Sequence, residues 1–95
     1  MQPSAKIYIH RVGEGFDVVC RIPHEMTPGN YLTQVTFRRN GELYAEALLG
    51  RYVATDPVVG THFDDLDPDD EISIGWQDLS GVADDVTRIF SGDTD

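Results

Sequence analysis

Apolar residues recur at every second position along most of this chain, and nowhere do they hold helical i, i+3, i+4 spacing beyond a turn or two. Successive side chains of a strand point to opposite faces, so this pattern restricts the chain to half-buried strands stacked sheet on sheet. Ile7 and Ile9 alternate with polar neighbours over 6–11, Gly13 to Gly15 offers a turn, and Phe16, Val18, Cys20 and Ile22 resume the alternation. Pro23 and Pro28-Gly29-Asn30 punctuate a loop, after which Tyr31, Thr33, Val35 and Phe37 share one face of a third strand. Asn40-Gly41 then predicts a type I′ hairpin, since both residues tolerate positive φ, with Leu43, Ala45, Ala47 and Leu49 on the return strand. A helical turn competes over 46–51, but Gly50 interrupts it. Asp56-Pro57 marks a corner before a short strand over 58–63. Ile72, Ile74 and Trp76 alternate again, and Leu79-Ser80-Gly81 turns into a last strand near 82–90. The polar stretch 91–95 is expected to fray. Seven short strands with regular turn signals predict an all-β fold: one immunoglobulin-like antiparallel sandwich over 1–95.

A chain of 95 residues has room for one core. Seventeen acidic residues against seven basic ones give a formal charge of −10, which disfavours nucleic acid and anionic lipid as partners. No apolar run approaches the ~20 residues that cross a bilayer as a helix. The start, Met1 to Lys6, lacks the apolar core of a signal peptide, so the chain is not expected to export itself. Cys20 is the single cysteine, which excludes an intrachain disulfide and a thiolate-rich zinc site.

Three constellations invite chemistry. Cys20 and His24 lie four apart, the spacing of a same-face pair on a strand, but Pro23 breaks that strand and Cys20 falls in the apolar row of Phe16, Val18 and Ile22. His10, His24 and His62 are dispersed, with no ligand-pair spacing, so no metal is expected. The run Asp65 to Glu71 alternates carboxylates like a calcium loop, yet Asp70 stands where that loop needs glycine and Trp76 where it needs a bidentate glutamate. A solvated acidic turn is the expectation there. With no nucleophile elbow, phosphate loop or zincin pair, no catalytic residue and no cofactor is expected. Contact with another protein is the remaining class of function. Tyr31, Tyr44 and Tyr52, with the loop residues His24 and Met26, are the candidate contacts, since aromatic and methionine side chains are enriched at interfaces.

Taken in order, the landmarks resemble the SoxZ family of bacterial thiosulfate oxidation. Ile22-Pro23-His24-Glu25-Met26-Thr27-Pro28-Gly29 is similar to the family's Ile-Ser-His-Pro-Met-x-x-Gly segment, although Pro23 precedes the histidine here. Phe37-Arg38-Arg39-Asn40-Gly41, Leu49-Gly50, Val53, Asp56-Pro57 and Phe63 follow, and Ile72 through Trp76-Gln77-Asp78 and Gly81 close the series. The resemblance implies an immunoglobulin-like scaffold subunit that pairs with a SoxY-like chain. That partner carries sulfur intermediates on a cysteine in its C-terminal glycine-rich arm, and Cys20 does not match it. The resemblance further implies a periplasmic location, reached with a signal-bearing partner, and transient contacts with other sulfur-oxidation enzymes. Two other readings stand beside it: a free-standing immunoglobulin-like accessory or adhesion module, and a small thiol-dependent enzyme using Cys20.

Overall fold

A computed structural model describes residues 5–23, 26, 31–52, 57–78 and 83–95, and of 51 and 52 the backbone only. The described residues form seven strands: β1 (Lys6–Val12), β2 (Gly15–Arg21), β3 (Tyr31–Arg39), β4 (Glu42–Tyr52), β5 (Val58–Phe63), β6 (Glu71–Asp78) and β7 (Ala83–Ile89). They form two antiparallel sheets, in the orders β1-β2-β5 and β4-β3-β6-β7. The expected all-β sandwich is present. In the constant-type immunoglobulin arrangement the fourth strand lies in the sheet of the first two. Here β4 stays beside β3 because a two-residue hairpin leaves it no length to cross over.

The turns explain the register. Asn40 and Gly41 have φ of 52° and 83°, the positive pair of a type I′ turn. Gly13 has φ of 61° while Glu14 does not turn positive, the pattern of a type II′ turn between β1 and β2. The helical turn considered over 46–51 does not form. β4 runs through it as strand, with Leu49 and Gly50 together opposite Thr33 in a bulge.

The inward rows of both sheets interlock as one core. Ile7 and Ile9 of β1, Val18 and Cys20 of β2, Val35 and Phe37 of β3, and Ile72, Ile74 and Trp76 of β6 are all buried. Phe16 packs edge-on against Phe90 with ring centroids 5.2 Å apart, and Phe63 and Leu66 complete that end of the sandwich. At the other end the Trp76 indole N–H donates to the Met26 carbonyl at 3.2 Å.

The tail departs from expectation. The Asp95 backbone N–H donates to the Ile9 carbonyl at 2.8 Å, and its carboxylate accepts from the Ile9 N–H at 2.8 Å and from Arg88. Arg88 also donates to the Ile7 carbonyl at 2.8 Å. A polar tail frays when nothing ties it down. This one satisfies backbone groups on the open edge of β1, so it bridges the β1 and β7 sides of the sandwich.

Candidate protein-binding surface

Cys20 belongs to the core. Its side chain is 0% exposed, and burial pushes the thiol up to about 11. A nucleophilic cysteine needs an accessible, stabilised thiolate, and this environment opposes both. His24, its suggested partner, lies outside the described residues. Native-state labelling of Cys20 by a thiol reagent should be slow and should track global unfolding, and Cys20→Ser should cost about 1–2 kcal/mol by placing a hydroxyl in an apolar row. Fast labelling of the folded protein would restore the thiol-enzyme reading.

Among the described residues no three His, Cys, Asp or Glu side chains gather to hold a metal ion. His62 Nδ1 lies 2.8 Å from Asp17 Oδ1, a cross-strand pair on the outer face of the three-stranded sheet. His10 sits across β2 from it, facing the same side.

The acidic run is more ordered than a solvated turn. Arg39, at the end of β3, reaches into it: Nε and Nη2 donate to Asp70 Oδ2 at 2.9 and 2.6 Å, and Nη1 donates to Asp65 Oδ1 at 3.0 Å. Asn40 donates to the other Asp70 oxygen at 2.9 Å, and the Asp67 N–H donates to Oδ2 at 2.8 Å. The amide of Asn40, then the Asp67 N–H and Arg39, hold the Asp70 carboxyl below its usual range. Leu66 turns into the core, and Asp69 and Asp70 exchange backbone hydrogen bonds with Phe90. One guanidinium thus converts a self-repelling loop into a plug for the end of the sandwich. A run of carboxylates does not reveal this, because the cation that organises it lies 26 to 31 positions earlier in the chain.

The five candidate contact residues are not gathered in one patch. Tyr31 and Tyr52 are backbone register partners across β3 and β4, and the hydroxyl of the half-buried Tyr31 lies over Gly50; the Tyr52 side chain and all of His24 lie outside the described residues. Met26 is half-buried against the core near the same end. Tyr44 stands at the opposite end of β4, as the extra residue of a second bulge, and the bulge aims it inward. Its ring stacks on Phe63 with centroids 4.0 Å apart, and its hydroxyl accepts the Asp64 N–H at 3.3 Å. Tyr44 therefore braces one sheet against the other.

Other features offer a partner more surface. Between the edges of β4 and β5 the sandwich gapes into a cleft of about 230 Å³ lined by Val35, Phe37, Ala47, Leu49, Val59 and Gly60. Val58, which also lines it, is 65% exposed, and Leu48 on β4 is 76% exposed. Among the described residues no strand pairs with the outer edge of β4 or of β5, and β5 carries no lysine or proline and shows no bulge to blunt it. Period-two reading assigned these valines and leucines to strands but could not show that β4 and β5 are edge strands of their two sheets on the same side of the sandwich.

No helix of the described residues is long and apolar enough to cross a membrane. None of the curated proteins searched matches the chain. A scan against protein families matches residues 10–88 to the family described as Sulphur oxidation protein SoxZ. The match takes in β2 to β6 whole, nearly all of β7 and the last three residues of β1, so it spans most of both sheets and the chain belongs to the SoxZ family.

Proposed function

We propose that this protein is the non-catalytic subunit of a two-chain sulfur carrier in thiosulfate oxidation, pairing with a SoxY-like chain that bears the sulfur intermediates on its own C-terminal cysteine. The observation that carries the reading is Cys20. A chain of a sulfur-oxidation family whose single thiol is sealed in the core has no sulfur nucleophile to offer, so the carrier thiol belongs to a partner. The role of this subunit is to hold and present that partner, and the bare β4–β5 side gives it apolar surface with which to do so. We place the complex in the periplasm, exported with its signal-bearing partner, where it meets other sulfur-oxidation enzymes transiently.

The test is to express this chain and the SoxY-like chain of the same organism separately and together. Association should be measurable at micromolar concentrations or below, and thiosulfate-dependent mass should appear on the partner alone. Adducts on Cys20, or no association, would overturn the reading.

A further inference from the structure

β1 is an edge strand, yet its outer edge is already engaged within the molecule. The Ile9 carbonyl accepts the Asp95 N–H at 2.8 Å, and the Ile9 N–H donates to Asp95 Oδ2 at 2.8 Å. A neighbouring antiparallel strand would exchange this same pair of bonds with Ile9, so the Asp95 carboxylate takes the place of such a strand's carbonyl. Two residues along, the Ile7 carbonyl accepts from Arg88 Nη1 at 2.8 Å. The same nitrogen donates to Asp95 Oδ2, which joins the two contacts into one clasp.

Strand β7 places Arg88 for this contact. Arg88 is the register partner of Ile72 and shares the inward row of β7 with Val86, which packs against the core. An apolar side chain there would join that core, whereas the half-buried guanidinium crosses to β1. A charge turned inward on an edge strand is one means by which sheets refuse pairing with other chains. The edge it covers is self-complementary. An antiparallel two-fold pairing of β1 about Ile9 would set Ile9 against Ile9, Ile7 against Arg11, Tyr8 against His10 and Lys6 against Val12, with no two like charges opposed. The formal charge of −10 holds two copies apart at low salt, and molar salt screens that repulsion.

We propose that Arg88 and Asp95 form a strap that keeps the outer edge of β1 from accepting another strand, and that with the strap removed this edge pairs with β1 of a second copy. The strap uses only contacts within the chain and does not depend on the two-chain reading. It closes the side of the sandwich that β1 and β7 share, and so favours the β4–β5 side for contact with other proteins.

The experiment compares the wild-type protein with Asp95→Ala and with a chain ending at Gly92, each shown to fold by a cooperative urea transition. Amide hydrogen exchange at low salt and low protein concentration reads the strap directly. The Ile9 N–H should exchange roughly tenfold faster or more in Asp95→Ala and in the shortened chain, because its acceptor is gone. Sedimentation in about 1 M sodium chloride, where charge is screened within ~3 Å, should then find the wild type monomeric and the shortened chain dimeric. Protection of Ile9 should return in that dimer. Ile9 exchange unchanged by the loss of residues 93–95 would overturn the strap. A shortened chain that stays monomeric in molar salt, or a dimer whose Ile9 amide remains unprotected, would overturn the pairing with a second copy. A wild-type protein that dimerises as readily as the shortened chain would overturn the guarding role.

Discussion

Replacing Trp76 with alanine should destabilise the protein by about 3–5 kcal/mol, a large share of what a domain of this size possesses. The indole is 3% exposed and sits on β6, paired with Val35 on one side and Asp84 on the other. Ile72 and Ile74 precede it in the same inward row. Truncation would open a cavity at the centre of the four-stranded sheet and leave the Met26 carbonyl without the donor now 3.2 Å away. Trp76→Phe separates the two contributions, since it keeps most of the ring and removes the N–H; about 1–2 kcal/mol should be lost from the hydrogen bond and the smaller volume. Urea titration of both variants reads the result. A loss below about 1 kcal/mol for Trp76→Ala would show that the side chain is not part of the core.

Arg39→Ala should cost about 2–4 kcal/mol near neutral pH, because it removes a charge-assisted clamp and leaves Asp65, Asp67 and Asp70 facing one another without a cation. The effect should depend on pH with a definite sign. Asp70 has a folded-state pKa depressed below its ordinary 3.8. Its contribution is fully present above the ordinary carboxylate range and is lost as pH falls through 3.8 toward the depressed value. Asp95, lowered by Arg88 first and then by the Ile9 N–H, follows the same course in both proteins and cancels from the comparison. The gap between wild type and Arg39→Ala should therefore narrow as the pH is taken down to about 3. A gap of constant width would mean that Arg39 acts through the packing of its stem, with its charge contributing little.

The alternation of Ile7 and Ile9, of Val18 and Cys20, and of Ile72, Ile74 and Trp76 determined by itself that the chain makes strands and which side of each faces inward. Asn40-Gly41 likewise determined the β3–β4 hairpin, because the φ preferences of two adjacent residues select the turn without outside help. Burial of Cys20, and with it the weakness of any thiol chemistry, followed from its place in an apolar row. These are local properties, encoded within one strand or one turn. Only the tertiary structure decided what depends on the lateral order of the strands and on registers between distant segments. Arg39 meets Asp65 and Asp70, Asp95 caps Ile9, and a bulge stacks the ring of Tyr44 on Phe63. The cleft exists because β4 and β5 are edge strands on the same side of the sandwich. The period-two pattern tells each strand which face to bury and carries no information about which strand will be its neighbour, so surfaces assembled across strands emerge only when the two sheets close on a shared core.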